Sequence, residues 1–358
     1  MRIAQIAPLC ESVPPRLYGG TERIVSYLTD TLVDLGHEVT LFASADAHTR
    51  AHLVAVRDQA IRLDPAQKSE LAAHLSMLQE VRRRADEFDV LHFHVDMLHF
   101  PMFEDCAGRT LTTLHGRLDL KDLAEVYRRW PHYPLVSISQ HQRRPLHFAN
   151  WAGTVHHGLP EALHRLHPQA HPQGYLAFLG RISPEKRPDR AIAIARASGM
   201  RLKIAAKVDV ADRAYFQQEI RPLLDDPLVE FIGEIDDVAK ETFLGEAAAL
   251  LFPIDWPEPF GLVMIEAMAC GTPVIAWNCG AVPEVIDDGV SGFIVTSEAE
   301  AVAAVQRLGM LDRCQVRAAF ERRFSAEIMA ANYVDLYERR CRVAPALPAW
   351  PVAQEAAW

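Results

Sequence analysis

The chain has 358 residues, 49% of them hydrophobic and 23% charged, which suits a globular protein long enough for two domains with separate cores. Its formal net charge of −10 argues against general nucleic-acid binding and supplies no attraction to an anionic membrane. No apolar run reaches the ~18 residues of a membrane span, and Cys10, Cys106, Cys270, Cys279, Cys314 and Cys341 lack any Cys-x-x-Cys spacing, so neither a disulfide framework nor a cysteine zinc site is suggested.

In chain order, Arg2 to Pro8 reads as a first strand and not as a signal peptide, because no long apolar core or cleavage site follows; a cytoplasmic protein with reduced thiols is expected. Gly19 and Gly20 then open a helix that Gly36 stops ahead of a strand from Glu38 to Ala43, a β-α-β unit. Glycines at such a turn let backbone N–H groups approach a ligand that a side chain would hold off, although a plain turn reads the same way.

The pattern is helical from Asp64 to Phe88. Asp89 to Val95 is the next strand, and His92, His94 and Asp96 alternate as zinc ligands on one strand face do. The apolar residues between them alternate as well and no second ligand cluster follows, so a polar strand end facing a cleft is favoured and no metal is expected. Thr110-Leu-Thr-Thr-Leu-His115-Gly116 is another strand ending in a turn, at the end of the sheet where open α/β folds bind ligands.

Asp119 to Trp130 and Gln140 to Phe148 read as helices around a strand at Leu135 to Ser139. Arg128, Arg129, Arg143 and Arg144 lie near Trp130, so a patch for an anionic acceptor or peripheral membrane contact is open but not favoured, because no periodic apolar face accompanies them.

His164 to Gly174 reads as a linker. Beyond it come a strand at Tyr175 to Gly180, a helix at Lys186 to Ser198, a strand at Arg201 to Lys207, a helix at Arg213 to Leu224 and a strand at Val229 to Gly233. Arg181 and Lys186 are two cations on a turn at the carboxyl end of a strand, suited to an anion.

Ala249 to Ile254 is a buried-strand run, and Pro257 and Pro259 break it before Phe260 to Ala269 turns helical and Gly271 closes it. Glu258 therefore stands just ahead of a helix, with Glu266 about two turns inside it. The free N–H groups at Gly261 and Leu262 can hold a phosphate. Two acids flanking an anion would be drawn to hydroxyls, as in the sugar parts of a nucleotide-sugar. Strands at Val274 to Trp277, Glu284 to Asp287 and Gly292 to Val295 complete the second sheet, and helices follow at 297–308, 312–324 and Ser325 to Arg342 with Ser325 as N-cap.

Glu258 and Glu266, inside Pro-Glu-Pro-Phe-Gly-Leu and ahead of Ala-Cys-Gly-Thr-Pro-Val-Ile, resemble the signature of retaining glycosyltransferases of family 4. Tyr18-Gly-Gly-Thr-Glu22, Leu179-Gly-Arg-Ile-Ser-Pro-Glu-Lys186 and Gly280-Ala-Val-Pro-Glu284 with Gly289-Val-Ser-Gly-Phe-Ile294 extend the likeness over nearly the whole chain. It is nearest to members in antibiotic and cell-surface sugar pathways.

The resemblance implies an α/β protein with two Rossmann-like domains facing across a cleft, the GT-B fold. Its domains are expected to be an acceptor-side domain at 1–165, a nucleotide-sugar domain at 166–324, a helix at 325–342 that crosses back onto the first domain, and a loosely ordered tail at 343–358. It further implies a nucleoside diphosphate sugar as donor and a sugar, lipid-linked or small-molecule acceptor, with no nucleic-acid partner. Glu266 would bind ribose, Arg181, Lys186, Gly261 and Leu262 the diphosphate, and Glu258 the sugar. Gly19 and Gly20 would approach the diphosphate or acceptor, and His115 the reaction centre. No cofactor and no metal are expected, with the base near Lys207 and Glu234. A sugar phosphorylase, an epimerase, a binding protein without turnover and a zinc hydrolase on His92 and His94 are the competing readings.

Overall fold

The computed structural model describes residues 1–343 apart from 17–18, 67–68 and 172–173. Tyr18 of the Gly-Gly motif, Pro172 of the expected linker and the expected tail from 344 onward lie outside the described residues. Two parallel sheets organise the chain. The first has seven strands, β1 (Arg2–Ile6), β2 (Glu38–Ser44), β3 (His52–Arg57), β4 (Val90–Phe93), β5 (Thr110–Thr113), β6 (Leu135–Ser137) and β7 (Trp151–Thr154), in the order β3-β2-β1-β4-β5-β6-β7. The second has six, β8 (Leu176–Arg181), β9 (Leu202–Lys207), β10 (Val229–Gly233), β11 (Ala249–Phe252), β12 (Val274–Trp277) and β13 (Gly292–Val295), in the order β10-β9-β8-β11-β12-β13.

Helices cover both faces of a parallel sheet, so its central strands are buried on both sides. Val90–Phe93, Ala249–Phe252 and Val274–Trp277 are buried throughout. Strand order reverses between β1 and β4 in the first sheet and between β8 and β11 in the second. A crevice opens at the carboxyl ends of the strands at each reversal. The loops after these strands carry Gly19, His94, Lys186 and Glu258, so topology alone brings those four positions to the two crevices. This is the two-domain α/β architecture expected from the sequence.

The chain crosses between the sheets twice. The stretch read as a linker is pinned, with the His167 N–H donating to the Cys270 carbonyl at 2.9 Å and Arg313 donating to the His167 carbonyl at 2.6 Å. On the return, Leu159 and Ala326 bond the chain beside Ser325, and the helix Ala326–Val343 lies against the first sheet with Tyr333 and Tyr337 fully buried. Ser325 caps it through a 3.3 Å bond from the Ile328 N–H.

Several elements differ from the sequence reading. Strand β3 was not read at all: it is an edge strand of six residues with no fully buried side chain, too short a pattern to separate from a loop. The expected strand at Glu284 to Asp287 is instead the short helix Val282–Val285, where Pro283 favours a first helical turn and β13 pairs directly with β12. The single helix expected at Arg213 to Leu224 breaks into a short α turn, a π turn at Phe216–Ile220 and a 3-10 turn at Arg221–Leu223, because Pro222 removes a donor and clashes with the turn before it. The helix expected from Asp64 runs only over Glu70–Arg83, capped by Ser69.

Candidate active site

The two crevices face each other across an open cavity of about 590 Å³. The second sheet contributes Gly180, Arg181, Lys186, Lys207, Glu234, Lys240, Glu258, Gly261, Leu262 and Glu266 to its walls, and the first sheet contributes Glu11, Gly19, Gly20, Glu22, Arg23, Arg62, His115 and His157. All nine of the site residues expected from the sequence therefore line one cavity.

Glu258 is held by its backbone. Gly280, at φ 59°, passes so close to this loop that a Cβ there would lie 2.4 Å from the Glu258 nitrogen and 2.4 Å from its carbonyl oxygen, so only glycine fits. The Ala281 N–H donates to that carbonyl at 3.0 Å. The carboxylate accepts from the Trp256 indole N–H at 2.9 Å and pairs with the Lys186 ammonium, which stands 5.1 Å from the centre of the Trp256 ring. Lys186 and Glu258, expected to serve separate parts of a donor, are thus bonded to each other.

Gly261 begins the next helix at φ 87°. A Cβ would meet Met264 and Phe252 at 2.9 and 3.0 Å, a second backbone position that excludes a side chain. The helix Leu262–Ala269 places Glu266 at its fifth residue, one turn in and not two. Glu266 is 5% exposed, and its Oε1 accepts from the Lys240 ammonium at 2.8 Å. Burial pushes the carboxyl pKa up, but Lys240 outweighs it and holds the group below the usual carboxylate range. Lys240 also lies 3.0 Å from Asp237, which pairs in turn with Arg23 from the first domain.

Arg181 ends β8 among acids, 2.7 Å from Glu185, 3.7 Å from Asp209 and 3.8 Å from Asp212. Across the cleft, a Cβ on Gly20 would come 3.4 Å from Leu262 Cδ1, so the Gly-Gly turn directly faces the helix start at Gly261 and Leu262.

His115 ends a buried hydrogen-bonded chain. Gln5, wholly buried on β1, accepts through Oε1 from His94 Nε2 at 2.8 Å and donates through Nε2 to the Tyr337 hydroxyl at 3.1 Å. Tyr337 then donates to His92 Nδ1 at 2.7 Å, and His92 Nε2 donates to the Thr113 hydroxyl at 2.8 Å. Because His94 Nε2 carries its proton, its Nδ1 accepts from His115 Nε2 at 2.9 Å. His115 Nδ1 is left as a lone pair and has no protein partner. Burial drives the His115 pKa down to about 3 and holds His92 and His94 well below the ordinary value, so all three rings are neutral near pH 7.

This chain answers the zinc reading. All four ring nitrogens of His92 and His94 are occupied by protein partners, and Asp96 lies beyond the end of β4 at φ 49° and not on its face. Among the described residues no group of three His, Cys, Asp or Glu side chains is arranged to hold a metal. Lys240, Arg23, His157 and Glu22 went unrecognised in the sequence. Lys240 and Arg23 sit on amphipathic helices where a charged residue ordinarily marks the solvated face, and only pairing across the cleft distinguishes them.

Glu284, from the glycine motif of the second domain, reaches the first domain. Its carboxylate accepts the Gln140 and His141 N–H groups, both at 2.7 Å, and draws His156 to 3.4 Å. It clasps the two domains beside the cavity. No helix among the described residues is long and apolar enough to cross a membrane.

Comparison with known proteins agrees with this architecture. Residues 18–150 match the family described as Glycosyltransferase Family 4, and residues 161–323 match Glycosyl transferases group 1. The phosphatidyl-myo-inositol mannosyltransferase of Mycolicibacterium smegmatis is 26% identical over 94% of this chain and 94% of its own length. The D-inositol 3-phosphate glycosyltransferase 2 of Catenulispora acidiphila is 33% identical, over 46% of this chain and 43% of its own. Among solved structures, AviGT4, a glycosyltransferase involved in avilamycin A biosynthesis, superposes with a TM-score of 0.71 at 25% identity, covering 96% and 99% of the two chains. Anabaena HepE in complex with UDP and glucose shares the fold at 17% identity, with a TM-score of 0.72 over 95% and 100%. With its two halves matched in order and its two sheets found again in these structures, the chain belongs to the family 4 glycosyltransferases of GT-B fold.

Proposed function

We propose that the protein transfers a sugar from a nucleoside diphosphate sugar to a hydroxyl acceptor, with retention of configuration and without a divalent metal. The observation that carries this is the pair of carboxylates, Glu258 and Glu266, each neutralised by a lysine and set on either side of the helix start at Gly261. A diphosphate at that helix start attracts Lys186 away from Glu258. Glu258 is then free to accept sugar hydroxyls, and Glu266 to accept from the ribose while Lys240 keeps it ionised. HepE, whose structure holds UDP and glucose, supports a donor of this class.

In the transfer, the acceptor oxygen forms a bond to the anomeric carbon as the bond from that carbon to the β-phosphate oxygen breaks. The leaving diphosphate takes the bonding pair and then the acceptor proton, so the protein's part is positioning and charge stabilisation. Lys186, Arg181 and the N–H groups at Gly261 and Leu262 supply the positive charge. Gly19 and Gly20 bring backbone up to the same phosphates, and His115 reaches the sugar from the first domain.

A thermal-shift screen against UDP-, GDP-, ADP- and dTDP-sugars tests the reading. A ligand at a hundred times its dissociation constant adds about 2.7 kcal/mol, and the stabilising donor should be turned over fully in EDTA. No shift with any donor, or activity lost on chelation and restored by Mg²⁺, overturns it. Inorganic phosphate replacing the acceptor would instead mark a phosphorylase.

Glu266→Gln and Glu258→Gln should part company. Loss of the Glu266 charge should weaken free nucleoside diphosphate about tenfold, whereas Glu258→Gln should leave that affinity near wild type and slow transfer about tenfold. Equal effects of both on nucleotide affinity would sink this division. His115→Ala should lower kcat by about tenfold with nucleotide affinity kept, because His115 stands on the opposite wall from the nucleotide; normal turnover would move the first domain's contribution to the Gly19-Gly20 turn.

A further inference from the structure

Glu284 does more than clasp the two domains, because each end of its connection leads to one of the two groups that meet the sugar. On its own side it sits in the short helix Val282–Val285, directly after the Gly280-Ala281 backbone that packs on Glu258 and donates to the Glu258 carbonyl at 3.0 Å. Arg323 anchors this segment to the second domain by donating to the Glu284 and Val285 carbonyls and to the Asp287 carboxylate, the last at 2.7 Å. The contact that sets Glu258 and the carboxylate that reaches across thus belong to one short, anchored segment.

On the first-domain side, the Gln140 and His141 N–H groups open the 3-10 turn His141–Leu146, where backbone donors lack partners within the turn. The Glu284 carboxylate takes both at 2.7 Å, one on each oxygen. The next residue, Gln142, is 4% exposed, and its Nε2 donates at 2.8 Å to the Leu114 carbonyl and at 2.8 Å to the Gly116 carbonyl, the two that flank His115. Its Oε1 accepts the Ile138 N–H at 2.9 Å, so the whole amide is engaged and a shift of this turn carries His115 with it.

An aromatic contact runs alongside. Phe260, just ahead of Gly261, meets His157 edge-on with ring centres 5.0 Å apart, and His157 stacks on His115 at 5.3 Å. Ring contacts limit how closely the walls approach, whereas two charge-assisted hydrogen bonds also fix direction. The other tie between the domains, Arg23 to Asp237, leads elsewhere, through Lys240 to Glu266.

We propose that Glu284 is a positioning residue for sugar transfer: through Gln142, its carboxylate holds His115 of the first domain in register with Glu258 of the second, while the Arg23–Asp237 tie serves the nucleotide end of the cavity. The inference rests on the glycosyl-transfer reading above. Groups carried on separate domains need such a device, since a misplacement of about 1 Å costs up to about 10²-fold in rate.

The test uses the full chain and the donor that gives the largest thermal shift. Turnover is nucleoside diphosphate release, measured in water and with myo-inositol or methyl mannoside added as hydroxyl probes. A wild-type chain that releases none under any of these conditions defeats the transfer reading itself, before any variant is compared, and the proposal with it. Glu284→Gln keeps one acceptor oxygen but turns an amide NH2 against the other N–H, so kcat should fall about tenfold with donor KM and free nucleoside diphosphate affinity near wild type. Gln142→Leu, cut at the other end of the same tie, should fall in the same way and carries the test if Glu284→Gln does not fold; the thermal shift with donor reports folding for both. Asp237→Asn should instead show its loss in nucleotide affinity. The deciding measurement combines Glu284→Gln, or Gln142→Leu, with His115→Ala: because the glutamate acts through the histidine, the double variant should be about as slow as His115→Ala alone. Losses that multiply to about a hundredfold, an unchanged kcat in both single variants, or a loss of nucleotide affinity from Glu284→Gln equal to that from Asp237→Asn overturns the proposal.

Discussion

Replacing Lys186 by alanine is expected to lower kcat/KM by about 10²–10³-fold, the scale of removing one donor that stabilises developing charge in a water-poor site. Two effects combine. The diphosphate loses an ammonium held among Phe252, Trp256 and Glu258, and Glu258 is left with the Trp256 indole and a carboxylate facing the incoming phosphate. Arg181→Ala should cost less, about tenfold, because Glu185, Asp209 and Asp212 already share that guanidinium. Steady-state kinetics with the identified donor decide the matter. Unchanged rate and donor KM in both variants would remove the proposed phosphate site.

Acidification should destabilise the protein in a defined window. His92, His94, His99 and His157 are each held well below the ordinary histidine value by burial, and His115 is lowered to about 3 by the same cause. In the unfolded chain each titrates near 6.5. For a group with its folded pKa lowered, the unfolded state binds more protons, so stability falls as pH falls. The contribution is complete above about pH 6.5 and is lost from there down toward the folded values, at about 1.4 kcal/mol per pH unit for each ring that stays neutral. The depressed carboxylates Glu266 and Glu284 act only below their ordinary value of 4.5, while the buried carboxyls Asp96, raised to about 6, and Glu22, also raised, work in the opposite sense, so between pH 6.5 and 5 the five histidines set the sign of the slope by outnumbering them. Urea unfolding midpoints across pH 8 to 5 measure it. A flat profile would contradict a neutral histidine chain, and His92→Phe should flatten the slope even where it lowers stability overall.

Much of the cavity wall was legible because its signals are local. Glu258, Gly261, Leu262 and Glu266 fall within nine consecutive residues, and breaking prolines followed by a helical pattern announce a helix start whatever the rest of the chain does. Arg181, Lys186, Gly19, Gly20 and His115 each follow a strand, and the carboxyl ends of strands in a parallel sheet are where ligands collect. The weaker readings were the short and edge elements, such as His52–Arg57 and Val282–Val285, where a few residues carry too little periodicity to outweigh their neighbours.

The sequence by itself determined the two α/β domains, the strand-end positions of the site and the helix start between two acids, because these follow from periodicity, proline and glycine within short windows. Only the tertiary structure decided which charges meet. Lys186 neutralises Glu258 across 72 residues and Lys240 neutralises Glu266 across 26. Gln5 and Tyr337, 332 residues apart, orient the chain that ends in the His115 lone pair. A buried charge or polar group must find its partner in space, and that partner is chosen by how the sheets and the crossing helix pack, which no short stretch of sequence encodes.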